Sequence, residues 1–202
     1  KEQSGFVQTV GFDLYCKILD QAVKELKEGK PTTDQENKPE DSLSLEGQYP
    51  DTKLDMDFDL LIPEHFIEDE LERITIYHRL VNFSEIKQID QLQKELSDRF
   101  GTIPQQVFFF LMAIKIKILA RRLFADRIIL KNNQFKIIFS DRAKNDDHFY
   151  DELIPGLMNQ NITKVQFLNT KVLGLKVDLK GEEKTEQLQF AINFLEKVQL
   201  NN

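Results

Sequence analysis

PQQVFFFLMAIKIKILARRLFADRIILKNNQFKIIF, residues Pro104 to Phe139, changes its hydrophobic period partway along. As far as Phe124 it is apolar almost all round, with Pro104 at the favoured first helical position, which predicts a central buried helix. Arg121 and Arg122 fall in its last turn, where cations suit the helix dipole; they are too few for a DNA patch. From Arg127 the pattern is that of two strands meeting at Asn132 and Asn133, residues that tolerate the positive φ of a tight hairpin turn. A buried helix running into a hairpin predicts an α+β fold with a small antiparallel sheet, not alternating βαβ units.

Upstream lie two further helices. IEDELERITIYHRLVNF (67–83) opens on Glu68, Asp69 and Glu70, acids suited to a helix N-terminus, and its apolar stripe runs through Leu71, Ile74, Tyr77, Leu80 and Val81. SEIKQIDQLQKELSDRFG (84–101) takes Ser84 as N-cap and Gly101 as its stop, with Ile89, Leu92 and Leu96 toward the core. Gln91, Glu95 and Asp98 then lie on the opposite side, so that Glu95 and Asp98 form an acidic spot. By residue type alone that spot is an ordinary solvated face. Downstream come a short helical piece at 149–160 interrupted at Pro155 and Gly156, strands at 162–168 and 172–180, and a C-terminal helix carrying Leu188, Ile192, Leu195 and Val198.

KLDMDFDLLIP (53–63) alternates strictly: Leu54, Met56, Phe58 and Leu60 take one strand face, and Asp55, Asp57 and Asp59 the other. Aspartates in such a row suit Mg²⁺ or Ca²⁺, but period-two acids stand ~7 Å apart and no other motif completes a coordination shell. A solvated face is the favoured reading, and no metal is assigned. Before this strand, residues 11–28 read as an amphipathic helix with Tyr15, Ile18, Leu19, Ala22, Val23 and Leu26 on one side and Gly29 as its stop. That stripe needs a partner to cover it. Residues 30–52, with Pro31, Pro39 and Pro50, read as an acidic flexible linker. The expected organisation is therefore 1–29, a linker at 30–52, and a module at 53–202.

The 202 residues are 41% hydrophobic, enough for a real core, with a net charge of -7. An acidic chain is a poor autonomous ligand for DNA or RNA, which demand clustered Lys and Arg, and a better one for a basic protein surface. No run reaches the ~20 apolar residues of a membrane span. A single cysteine, Cys16, fits a reducing cytoplasm and reads as inert packing. No P-loop, GxGxxG, HExxH, GxSxG or CxxC occurs, and His65, His78 and His148 fall in three different elements. The expectation is a non-enzymatic chain.

QSGFVQTVGFDLYCKILDQAVKELK (3–27), IPEHFIEDELERITIYHRL (62–80) and ELSDRFGTIPQQV (95–107) together resemble the bacterial transcription-repair coupling factors, also called Mfd. The first stretch resembles the end of their translocation motif, which the helicase RecG shares; the other two resemble their C-terminal module, which RecG lacks. The resemblance implies a C-terminal fragment of a larger DNA motor. Gln3 matches the loop glutamine that helps couple ATP hydrolysis to movement on duplex DNA, and residues 11–28 match a hook-like helix that wraps back on the motor. ATP and Mg would belong to the absent motor domains, and this fragment would hold no cofactor. The module would be an autoinhibitory clamp, packed on a UvrB-like N-terminal domain of the same protein and hiding its UvrA-binding surface until stalled RNA polymerase is engaged. Glu95 and Asp98 match the acidic pair that meets arginines across that contact. The alternative is an accessory module that helps hold duplex DNA, resting on Lys115, Lys117, Arg121, Arg122 and Arg127.

Overall fold

The computed structural model describes residues 52–145, 149, 151, 155, 165–169, 173–179 and 183–199. Gln3, Cys16, the helix expected at 11–28, the linker up to 51, His148 and most of the piece at 149–160 lie outside the described residues.

The fold is α+β. Three helices come first: α1 (Glu70–Val81), α2 (Ile86–Phe100) and α3 (Gln105–Arg122). Asp69 caps α1, its carboxylate accepting from Glu72 N at 2.8 Å. At α2 the expected Ser84 cap moves on by one residue to Glu85. The reason is Gln88, whose Oε1 accepts from the backbone N of both Ser84 and Glu85 at 2.9 Å and so satisfies two donors at once. Gly101 ends α2 with φ 85 and ψ -145, a conformation open to glycine almost alone. Pro104 is the N-cap of α3 and not its first helical residue: its backbone is extended, with ψ 154, while its carbonyl already accepts from Phe108 N at 3.0 Å.

Twelve of the residues of α3 are buried, as expected of a helix apolar on all sides. Phe124 turns the chain out of it, at φ 53, donating its N–H to Arg121 O and accepting from Ser140 N. The strands β2 (Ala125–Lys131) and β3 (Gln134–Phe139) follow, then the one-turn α4 (Asp141–Lys144), β4 (Val165–Asn169), β5 (Leu173–Asp178) and α5 (Lys184–Gln199). The hairpin turn is the expected one, with Asn132 at φ 52 and Asn133 at φ 55.

The sheet order is β1-β2-β3-β5-β4, where β1 is Lys53–Met56. Three ladders are antiparallel, as expected, and β1 adds a parallel edge to them by pairing with β2, Leu54 opposite Ile128. The three intervening helices allow this, since only a long connection can return a strand in the same direction. The strand at 53–63 is also shorter than its alternation. The ladder stops at Met56, yet Phe58 and Leu60 stay buried, Phe58 standing edge-on to Phe109 at 5.5 Å.

One sheet face is covered by α3 and α5: Ile128, Leu130, Phe135, Ile137, Leu175 and Val177 are buried there, and Phe135 meets the edges of Phe190 and Phe194 at 6.1 and 5.5 Å. The other face carries half-buried Ile129, Lys136, Ile138 and Lys176.

The buried stripe of α1 differs from the expected one in its first two turns, where Ile74 is half-buried and Ile76 buried. Leu71 is 62% exposed, and Arg73, Ile76, Tyr77 and Leu80 are buried. Both stripes share Tyr77 and Leu80 at helical spacing, so periodicity cannot choose between them. Arg73 decides it by donating from Nη1 to Ile67 O at 2.7 Å and Glu68 O at 3.0 Å, while the Tyr77 hydroxyl accepts from Ile62 N at 2.7 Å. These two side chains stitch the irregular segment at 57–69 to the helix. Arg73→Met leaves both carbonyls without this donor and should cost about 2 kcal/mol in denaturant unfolding. A loss below ~0.5 kcal/mol would show that water replaces it freely.

Candidate functional site

The acidic spot lies on α2 beside α1, and its two carboxylates differ in kind. Glu95 is held in a fork: Arg79 Nη1 donates to its Oε1 at 2.9 Å and Arg79 Nη2 to its Oε2 at 2.8 Å. Arg99, one turn on, also reaches Glu95 Oε1 at 3.3 Å and Glu72 Oε1 at 2.9 Å. The Arg99 guanidinium lies over the Phe100 ring at 4.8 Å, and Phe100 in turn meets Phe66. Glu72, Arg79, Glu95 and Arg99 thus form a locally neutral chain joining the two helices. Asp98 is exposed and has no ion pair among the described residues, so the uncompensated charge of the spot sits there.

The fork sets the titration. Hydrogen bonds from Arg79 hold the Glu95 carboxyl below the usual carboxylate range, outweighing its partial burial, with Arg99 adding to the effect. The same bonds raise Arg79, and the bond that Arg99 donates to Glu72 raises Arg99, so both guanidiniums stay charged. Because the folded value of Glu95 is depressed, its stabilisation is fully present above the unfolded glutamate value of ~4.3 and is lost as pH falls through the lower folded value. Glu95→Gln should cost up to about 1 kcal/mol at pH 7, the pair being partly solvated, and the difference from the parent should shrink on acidification. Thermal melts of both proteins at pH 7 and pH 3 check this; a gap that widens in acid would refute the assignment.

The bidentate partner of Glu95 sits sixteen residues earlier on another helix, where sequence spacing carries no signal. The Glu95 to Arg99 step is i, i+4 and was available. Gln3 lies outside the described residues.

Of the five basic positions expected of a DNA-holding module, Arg122 and Arg127 are exposed and Arg121 is half-buried at the end of α3. Lys115 pairs with Glu196 at 2.9 Å, Lys117 is buried in α3, and the exposed Arg122 and Arg127 belong to different elements. The aspartates at 55 and 57 are engaged within the fold, Asp55 with Lys131 and Asp57 Oδ2 with Asn132 N at 3.5 Å. Among the described residues no three His, Cys, Asp or Glu side chains are placed to hold a metal ion. A polar hollow of about 400 Å³ lies between Asp57, Asn133, Lys184 and Gln187. Lys184 there donates to Asp57 O at 2.9 Å and Gln187 to Asn133 Oδ1 at 3.3 Å, which ties the hairpin turn to the start of α5. Among the described residues no helix is long and apolar enough to cross a membrane.

Residues 56–149, which include the whole α1–α2 spot, match the family described as the TRCF domain. The chain is similar to the transcription-repair-coupling factor of Bacillus subtilis (strain 168), 27% identical over 195 residues, covering 96% of this chain and 15% of that protein. It is also similar to that of Staphylococcus epidermidis, 32% identical over 149 residues, covering 72% of this chain and 11% of that protein. A third relative, from Staphylococcus haemolyticus, is 28% identical and covers 97% of this chain. The chain spans less than a fifth of the length of these relatives. Among solved structures, the C-terminal domain of a transcription-repair coupling factor shares the fold, with a TM-score of 0.67 at 23% identity, covering 76% of this chain and 95% of that one.

Proposed function

From the premise that this chain carries a TRCF domain and is related along most of its length to the C-terminal region of transcription-repair-coupling factors, we propose that it is their regulatory contact module. It acts by binding and not by chemistry: it closes on a UvrB-like N-terminal domain of the same protein, masks the UvrA-binding surface, and releases it when the motor engages stalled RNA polymerase. Residues 1–29, with Gln3, would be the tail of the motor, and 30–52 the tether that permits the swing. ATP and Mg would be used in motor domains beyond this chain, in the cytoplasm.

The observation that supports this reading is the pairing of an exposed Asp98 with a Glu95 already fixed by Arg79 and Arg99. A carboxylate that is held in place loses little freedom on meeting a partner's arginine, and Asp98 supplies the unpaired charge that attracts it. Since Glu95 is shared with two arginines of its own module, the contact is weak by construction. Exposed bridges contribute about 1 kcal/mol or less each, which biases a closed state without locking it.

Calorimetric titration of this chain with the UvrB-like region tests the proposal. Asp98→Arg changes an exposed side chain outside the Arg79 fork and should weaken binding about tenfold, since it sets like charges together. Loss in this variant with an unchanged melting temperature supports the contact. Parent binding that Asp98→Arg and Glu95→Gln leave unchanged would move the contact surface elsewhere, and no binding by the parent would remove the clamp.

A further inference from the structure

We infer that the sheet face opposite α3 and α5 is a second docking surface, and that its occupant is an extended acidic polypeptide segment. The ladder registers place Lys53 directly opposite Arg127 across β1 and β2, and Lys136 directly opposite Lys176 across β3 and β5. Like charges directly opposed across a ladder destabilise it. Two such pairs on one face are notable in a chain with 34 acidic against 27 basic residues.

Across β2 and β3, Arg127 faces Ile138 and Ile129 faces Lys136, so Arg127 and Lys136 are diagonal neighbours. The four cations therefore form one oblique stripe over β1, β2, β3 and β5. Three interstrand steps of ~4.8 Å and one shift of two residues along the strand make it about 16 Å long. Lys176 is answered by Asp178 at 3.2 Å, but Lys53, Arg127 and Lys136 have no acidic partner among the described residues. Half-buried Ile129, Ile138 and Leu168 flank the stripe and supply apolar surface on both sides of it.

An extended chain repeats side chains on one face every ~6.8 Å, so carboxylates at i, i+2 and i+4 span the stripe. The residues near the stripe favour such a polypeptide over single-stranded nucleic acid, which needs aromatic stacking platforms where this face offers isoleucine and leucine. The net charge of -7 would also repel a polyanion extending past the stripe. The basic stripe lies on the sheet and the acidic spot on α1 and α2, so the two surfaces carry opposite charge on different elements.

The test titrates the full chain with a fluorescent peptide of alternating glutamate and valine, beside an alternating lysine and valine peptide and a thymidine dodecamer. The expected result is saturable binding of the acidic peptide alone, weakening with salt and falling about tenfold in Arg127→Gln, Lys136→Gln. That variant should melt at or above the parent temperature, because it relieves the cross-strand repulsion, so lost binding could not be ascribed to lost folding. Absence of acidic-peptide binding, binding indifferent to the variant, or tighter binding of the dodecamer would each overturn the inference.

Discussion

Phe110→Ala should lower the unfolding free energy by about 4 kcal/mol, as truncation of a fully enclosed aromatic does when its surroundings cannot close the gap. Phe110 is 0% exposed in the middle of α3, and its ring lies 5.4 Å from that of Tyr77. Tyr77 holds Ile62 through its hydroxyl, so the cavity would open beside the anchor of the segment at 57–69. Relaxation into it would move α1, and with α1 goes Arg79. The variant should therefore unfold at lower denaturant with an unchanged slope, whereas Phe110→Leu should retain most of the stability. A loss below ~1.5 kcal/mol for the alanine variant would mean that the α1–α3 contact is loosely packed and that the fork is not held rigidly.

Gly174→Val should be as damaging for a different reason, costing about 3 kcal/mol or preventing assembly of the sheet. A Cβ at Gly174 would stand 2.6 Å from the carbonyl oxygen of Ile137 and 3.1 Å from Ile138 Cδ1. The first is backbone of the neighbouring strand and cannot rotate aside. Relief requires β5 to part from β3, and β4 is attached to the sheet through β5. Gly101 offers the contrast: nothing lies within 4 Å of its would-be Cβ, and only its positive φ excludes other residues. Circular dichroism and yield of soluble protein distinguish the outcomes; a Gly174→Val protein that melts near the parent would show that the strands separate cheaply.

Local features were legible in the sequence wherever one residue type settles one local geometry. Asn132-Asn133 announced its turn, Asp69 its acidic helix start, and the unbroken apolarity of α3 its central place. Misreadings arose where two local solutions were equivalent. The α1 stripe could begin at Leu71 or Arg73, and only the carbonyls of Ile67 and Glu68, brought near by the fold, select Arg73. Ser84 is a good cap by type, yet the reach of Gln88 favours Glu85. Nonlocal facts were out of range altogether: the parallel pairing of β1 with β2, and the Arg79 fork that makes Glu95 a bonded residue and not the solvated one its helix face implied.

The parallel placement of β1 orders events in time. β2 and β3 register across a turn of two residues, a closure that costs little entropy and proceeds in microseconds. Pairing of Lys53 with Arg127 instead encloses all three N-terminal helices in one loop, and so gains nothing until α1, α2 and α3 have already packed. The strand nearest the chain's acidic stretch is thereby the last piece to be secured. A four-residue strand that arrives last and, among the described residues, borders a single neighbour is also the piece whose release leaves the rest of the sheet intact.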